Sequence, residues 1–530
     1  MVSSSRMDRR EMLAWTLAST GAFALEGCRV PERKGGAPGR KDRRKHPNIV
    51  FLLADDMGWG DLHADNPASR IPTPNLDKLA RQGMRFTDAH SGSAVCTPTR
   101  YGVITGRYCW RSRLKRGVLS GFSSHLVEPE RMTVARLLGE RGYHTACIGK
   151  WHLGMDFPRK GGKNRGPVDY EGRIRNGPNT LGFEYFYGIA ASLDFPPYVY
   201  IENDRFTEVP NRKFPGSRFP AFLRRGPIAP DFKPIETLDH LTDKAVDYIR
   251  ERAREKDGRP FFLYFALTSP HKPVIPTPEY KGKSGLGDYG DHVMHTDGAV
   301  GRVMDVLART GLEEDTLFIV SSDNGSFMFL VDSPGCPKRY IRHDPETGEL
   351  LDHLKVPGIQ GFLSKHHRPN GPFRGTKADI WEGGHREPFL VRWPGKVKPG
   401  TVCDKTICLG DLMATAAEVT GGPLPEGAGE DSFSFLPLLL GREKEWKRPP
   451  VIHHSINGTF AIREGKWKLI AGRGSGGRGL PKSRPWSKPY QLYDLEADPG
   501  ESKNLLEKHP QVAARLEARL KKILASGRSL

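Results

Sequence analysis

Asp55-Asp56 and Asp323-Asn324 each follow a short apolar run, residues 49–53 and 317–321. Adjacent carboxylates repel, so a divalent cation is a natural reason to aim both at one point. All four side chains are hard oxygen donors with no thiolate, which suits Ca²⁺ or Mg²⁺ rather than zinc. Either pair alone also reads as turn and capping chemistry. Both together, each at a strand end, point to a metal. Lys150 and His271 follow two further apolar runs, 145–148 and 261–267. That coincidence predicts a single site.

Cys96-Thr97-Pro98-Thr99-Arg100 leads into Thr105-Gly106-Arg107. This Cys-x-Pro-x-Arg segment with its Thr-Gly-Arg sequel resembles the signature of the type I, formylglycine-dependent sulfatases. These are arylsulfatase-like members of the alkaline phosphatase superfamily, and their Cys is oxidised after translation to Cα-formylglycine. Further segments resemble that family in the same order. They are Asp55-Asp56 with Gly58-Trp59-Gly60-Asp61, Gly149-Lys150-Trp151-His152-Leu153-Gly154, and Ser269-Pro270-His271. Asp323-Asn324-Gly325, Lys377 before Trp381-Glu382-Gly383-Gly384, and Leu492 to Leu495 with Asp498-Pro499 and Asn504-Leu505 complete the set. The resemblance spans residues 48–505.

The resemblance implies one Ca²⁺ held by Asp55, Asp56, modified Cys96, Asp323 and Asn324. It implies Cys96, as formylglycine, for the nucleophile, with Arg100 holding the formylglycine oxygen. Lys150 and Lys377 would bind the sulfuryl oxygens. His271 would bind substrate and protonate the leaving alcohol, and His152 would take the proton that opens the hemiacetal. A maturation enzyme that generates formylglycine is an implied partner. The chemistry has a physical logic. A thiol or hydroxyl that attacks sulfur leaves an ester slow to hydrolyse, whereas a hydrated aldehyde carries two hydroxyls on one carbon. One attacks, and deprotonating the other expels sulfate. Ca²⁺ would acidify the attacking hydroxyl, and fixed cations would meet charge developing on the sulfuryl oxygens.

Positioning these groups takes a layered scaffold. The apolar runs at 49–53, 145–148, 261–267, 317–321 and 389–391 read as strands, with helical spacing at 76–81, 133–141, 238–254 and 297–307. Such alternation predicts an α/β fold: a large, mostly parallel sheet flanked by helices, with the site beyond the strands' carboxyl ends. A Gly/Pro-rich stretch at 421–430 suggests a boundary between a catalytic domain, 48–424, and a smaller α+β subdomain, 425–530. The latter has strand-like pieces at 460–463, 467–470 and 491–495 and an amphipathic helix over 511–524. Residues 325–375 show no clear period, and their length favours a functional loop.

Residues 1–28 read as an export signal, with Arg9-Arg10 before an uncharged stretch over 12–25 that is too short to span a bilayer. The pair resembles a twin-arginine signal, and Cys28 resembles a lipoprotein cleavage site, a candidate lipid anchor and the one membrane attachment expected. The chain would be exported, periplasmic or extracellular. Residues 29–47 follow as a basic, flexible linker with net charge +6.

The 530 residues carry a formal charge of +19, and 37% are hydrophobic. That composition excludes wholesale disorder. Seven cysteines exclude a dense disulfide scaffold. The charge favours an anionic partner, and no nucleic-acid reading motif is present. Basic runs at 107–116 and 463–488, with His343, His353, His366 and His367 in the long loop, are candidate contacts to a sulfated glycan. Two alternatives stay open: a phosphodiesterase or phosphonate hydrolase on the same fold, and a non-catalytic binder of anionic polysaccharide with unmodified Cys96.

Overall fold

In the computed structural model, residues 46–162 and 166–529 are described. The export signal, Cys28 and nearly all of the linker lie outside them. No helix among the described residues is long and apolar enough to cross a membrane.

The central strand β1 (Asn48–Asp55) is buried along its whole length, as a strand covered on both faces must be. It pairs in parallel with Phe261–Pro270 and Thr316–Ser322. With β2 (Met84–His90), β3 (His144–Lys150) and β4 (Tyr185–Ile189), these two become β5 and β6, and Arg386–Arg392 becomes β7. The core order across the sheet is β2-β7-β6-β1-β5-β3-β4, with short strands at both edges. β1, β3, β4, β5 and β6 run parallel, while β7 is antiparallel to β6 and β2. The sheet is therefore mixed and mostly parallel, as expected. The run at 389–391 is a strand, but it runs against its neighbour.

The period-two alternation of β1 divides the core. Ile49, Phe51 and Leu53 pack with Tyr101, Val103 and Ile104 of the helix Cys96–Thr105 and with Val134 and Leu138. Val50, Leu52 and Ala54 face the other way, against Leu76 and Leu79, Leu241 and Ile249, and Val300 and Val303. Those three pairs lie on the helices Pro74–Gln82, Thr237–Arg254 and Gly287–Arg309. Helices thus cover both faces, leaving the carboxyl ends of β1, β3, β5 and β6 together at one edge.

The C-terminal part forms its own four-stranded antiparallel sheet, from Val451–His454 through Phe460–Glu464 and Trp467–Ile470 to Gln491–Asp494. The helix Pro510–Ala525 packs on it through Leu516, Leu520 and Ile523. The long loop holds two small ladders, Phe329–Leu330 with Gly361–Phe362 and Arg342–His343 with Leu350–Leu351. Phe329, Val331, Cys336 and Ile359 give it a small apolar core of its own.

Candidate active site

The helix Cys96–Thr105 begins at Cys96, so the motif cysteine sits at its first turn with the side chain 2% exposed. Pro98 falls in that first turn, where a missing N–H costs no helical bond. The Thr97 hydroxyl accepts from Leu119 N at 3.2 Å, and Thr99 donates to Ser93 O at 3.0 Å. Gly106 ends the helix with φ 62°, its N–H bonded to Gly102 O, a left-handed cap suited to glycine. The Thr-Gly-Arg sequel is thus a helix stop, and Arg107 pairs with Glu430 at 3.1 Å.

β3 delivers Lys150. Gly149, with φ 110°, lets β3 approach β5, since a Cβ there would lie 1.9 Å from Ala266 O. Lys150 Nζ then reaches both Asp55 oxygens, at 2.8 and 2.7 Å. Arg100 grips Asp323 Oδ2 through Nε at 3.0 Å and Nη2 at 2.7 Å, and donates to Lys150 O at 3.2 Å. Lys377 Nζ lies 2.6 Å from Asp56 Oδ1 and 3.9 Å from Cys96 Sγ. Asn324 Nδ2 donates to the same Asp56 oxygen at 2.7 Å, and Asp56 N to Asp323 Oδ1 at 3.2 Å. His271 Nε2 stands 3.6 Å from Asp56 Oδ2. His152 Nε2 donates to Leu119 O, 2.8 Å away, and leaves Nδ1 buried without a partner. Asp56 (φ 66°) and His152 (φ 57°) both hold a left-handed backbone that a Cβ disfavours.

The candidate catalytic and metal residues therefore converge at one edge of the sheet, with His152 linked to Lys150 and Lys377 through charge rather than contact. Burial, helped by Asp323 and Asp56, pushes the Asp55 carboxyl up to about 7 against the pull of Lys150. Burial would raise Asp323 too, but Arg100, Lys150 and Lys377 bring it below the usual carboxylate range. Burial and the cations Lys377 and Lys150 hold His271 well below the ordinary imidazole value. Burial and Lys150 do the same to His152.

The donor set fits a hard divalent cation. Asp56 Oδ2 and Asn324 Oδ1 are buried without hydrogen-bond partners. Ligand atoms of Asp55, Cys96 and Asp323 lie within 4.8 Å of one another, as do those of Asp55, Asp56 and His271. Orphaned oxygens beside crowded carboxylates are what a Ca²⁺-sized ion satisfies.

The sequence did not single out the supports behind this set. Tyr289 Oη donates to Asp61 Oδ2 at 2.6 Å, beside Ser326 Oγ at 2.6 Å, and His367 Nε2 lies 2.9 Å from Asp61 Oδ1. Asn370 Oδ1 accepts from Ser326 N at 2.8 Å. No common spacing links these positions. Asp61 fell in a motif segment and Ser326, His367 and Asn370 in the long loop the sequence had marked, His367 as a glycan contact rather than a support; Tyr289 fell in neither.

Much of the basic sequence proves to be committed internally. Arg111 is bidentate to Asp431 at 2.8 and 2.9 Å, and Arg113 donates to Ser124 O and His125 O. In the second run, Arg463 pairs with Asp88, Lys466 with Asp494, and Lys468 with Glu382 and Glu501. His366 meets Asp352 and His353 meets Ile359 O.

A sulfatase family model matches residues 47–422, and a model of the C-terminal part of N-sulphoglucosamine sulphohydrolase matches 376–526. The chain is 32% identical to N-acetylgalactosamine-6-O-sulfatase of Bacteroides thetaiotaomicron, over 95% of this chain and 97% of that protein. It is 34% identical to human arylsulfatase A, over 87% and 83% of the two chains. A solved structure from work on the metabolism of multiple glycosaminoglycans by Bacteroides thetaiotaomicron superposes with a TM-score of 0.75. It shares 31% identity and covers 90% of this chain and 99% of that one. The chain belongs to the type I sulfatases of the alkaline phosphatase superfamily, and is a sulfuric ester hydrolase.

Proposed function

We propose that this protein is an exported sulfatase that removes sulfate from a sulfated carbohydrate, using Cys96 matured to Cα-formylglycine and one Ca²⁺. The observation that carries the reading is the convergence of Cys96, Lys377 and Lys150 with four oxygen-bearing side chains at one sheet edge. Its similarity to a bacterial N-acetylgalactosamine-6-O-sulfatase supports a sulfated sugar as substrate. Asp55, Asp56, Asp323, Asn324 and modified Cys96 would hold the ion, which would supply Lewis-acid polarisation and a more acidic nucleophile. Hydrated formylglycine would supply two hydroxyls on one carbon, one for attack and one for release.

The chain's own residues do the rest. Lys150 and Lys377 present ammonium groups to the sulfuryl oxygens, fixed before the substrate arrives by their carboxylate partners. Arg100, fully buried and anchored on Asp323, orients residue 96. His271 and His152 exchange protons with the leaving alcohol and with the second hydroxyl of residue 96. Residues 48–424 form the catalytic domain and 425–530 the C-terminal subdomain, with the N-terminal 28 residues directing export. Mass spectrometry of the tryptic peptide carrying residue 96, after expression with a formylglycine-generating enzyme, tests the maturation step. The expected mass is that of formylglycine; a peptide that remains cysteine would favour the polysaccharide binder.

A further inference from the structure

The mouth of the site carries cations that this chemistry leaves unused. Phe195 stands between His152, with ring centroids 6.0 Å apart, and the Arg224 guanidinium, 3.8 Å over its ring. Phe222 carries Arg224 at 5.2 Å and the Lys272 ammonium at 4.7 Å. Lys272 directly follows His271, so this arc runs from one candidate catalytic histidine to the other. Val274 N donates to Pro220 O at 2.8 Å, which ties the Lys272 loop to the loop bearing Phe222. Arg478 comes from the C-terminal part of the chain, its backbone N–H donating to Asp379 Oδ1 at 2.7 Å, two residues beyond Lys377.

Two acids face these cations, and both are engaged. Asp194 is buried and ion-paired with Arg224. Asp379 accepts backbone N–H groups from Thr376, Arg478 and Gly479 at 3.1, 2.7 and 2.8 Å. Among the described residues, neither the Lys272 ammonium nor the Arg478 guanidinium makes a hydrogen bond or ion pair. Cation–π contact holds a cation in place without cancelling its charge. Burial, then Arg478, Lys377 and Arg224, bring the Lys272 amine down to about 8 despite Asp194. Half-buried like charges that outnumber the acids facing them are costly, unless a ligand supplies a further anion.

We propose that Lys272 and Arg478, with Arg224 held behind them by Asp194, bind a second anionic group of the substrate beside the sulfate ester that reaches residue 96. The group is a carboxylate or a second sulfate, either of which takes charge-assisted hydrogen bonds from Lys and Arg. This inference rests on the sulfatase reading and narrows its substrate class to an oligosaccharide with at least two acidic groups.

The test compares kcat/KM for sulfate release from three disaccharides. One carries a single sulfate on a neutral frame, one adds a uronic carboxylate, and one adds a second sulfate. Hydrogen bonds to charged groups contribute about 1.5–3 kcal/mol, so the wild type should prefer one doubly anionic substrate by about ten- to a hundredfold. The doubly anionic substrate that wins identifies the anion. Lys272→Met and Arg478→Met should collapse that ratio, chiefly through KM, while keeping their aliphatic stems. Lys398→Met, exposed and beyond the end of β7 away from the site, controls for general charge steering and should keep the ratio. A wild type indifferent to the second anion overturns the inference, as do variants that lose equally on all three substrates. Sulfate release that ignores the second anion leaves the sulfatase reading intact. Release from none of the three sinks that reading and the subsite with it.

Discussion

At residue 96 the local geometry is decided by a handful of charges. Lys377 Nζ touches Asp56 Oδ1 at 2.6 Å and approaches Cys96 Sγ at 3.9 Å, while nearly buried itself. Burial alone would lower its pKa, yet Asp56 and the other nearby acids raise it above the ordinary lysine value, so it stays charged. A fixed cation this close to the reacting atoms should act mainly on the transition state. Lys377→Met is expected to lower kcat by about 10²–10³ with a smaller change in KM. Steady-state sulfate release measures this, and a loss below about tenfold would remove Lys377 from the proposed role. Residues of this kind were legible because Cys-x-Pro-x-Arg and the paired Asp groups are short contiguous patterns. Asp194, Arg224 and Lys272 were not, and Arg478 was marked only as part of the basic run 463–488, because four separate loops bring them together and no spacing records it.

At the level of elements, the C-terminal sheet supports the motif helix. His454 N donates to Gly92 O at 3.2 Å and Ala94 N to His454 O at 3.1 Å, just ahead of Cys96. Ala378 N donates to Ala94 O at 2.7 Å, which ties the Lys377 segment to the same stretch. Behind them lies a buried polar staple. Lys468, on the strand Trp467–Ile470, is wholly buried and meets Glu382 Oε1 at 2.9 Å, Glu501 Oε1 at 2.8 Å and His385 Nε2 at 3.0 Å. His385 Nδ1 lies 3.2 Å from His90 Nδ1, and His90 Nε2 lies 2.9 Å from Asp88. If Lys468 donates to His385 Nε2, His385 Nδ1 donates to His90 Nδ1 and His90 Nε2 to Asp88, and the Ile380 carbonyl 3.0 Å from His385 Nε2 then receives no proton from that ring. Lys468→Met would leave buried Glu501 facing Glu382 without the cation between them, with Arg386, 3.4 Å from Glu382 Oε2, the remaining partner of the pair. Unfolding should become easier by about 3–5 kcal/mol, read from denaturant melts. A change under about 1 kcal/mol would show that the staple does not hold the sheets.

Strands were read from the sequence where they were continuously apolar, as in β1, β5 and β6. β2 was missed because Arg85, Thr87 and Asp88 interrupt its apolar residues. Its neighbours are what make it a strand, since β7 and the short strands Thr401–Cys403 and Ile407–Cys408 pair along it.

Across the whole molecule, the +19 charge separates into parts with different meanings. Residues 1–28 sum to zero and the linker carries +6, which leaves +13 from residue 48 onward. Within that remainder, Arg107, Arg111, Arg463, Lys466 and Lys468 are paired with acids of the protein itself. At the strand ends Arg100, Lys150 and Lys377 are matched by Asp323, Asp55 and Asp56, so it is the cations above them, Lys272 and Arg478, that can raise the local concentration of an anionic substrate. A charge total could not reveal this partition, because paired and unpaired cations count alike.

The reaction that decides the function is sulfate ester hydrolysis at residue 96. Its most direct measurement is the rate of sulfate release from a sulfated oligosaccharide set against hydrolysis of an aryl phosphodiester, with Cys96→Ala as the blank. Sulfate release should dominate and should disappear in Cys96→Ala. A faster phosphodiester reaction, or sulfate release that survives the substitution, would contradict it.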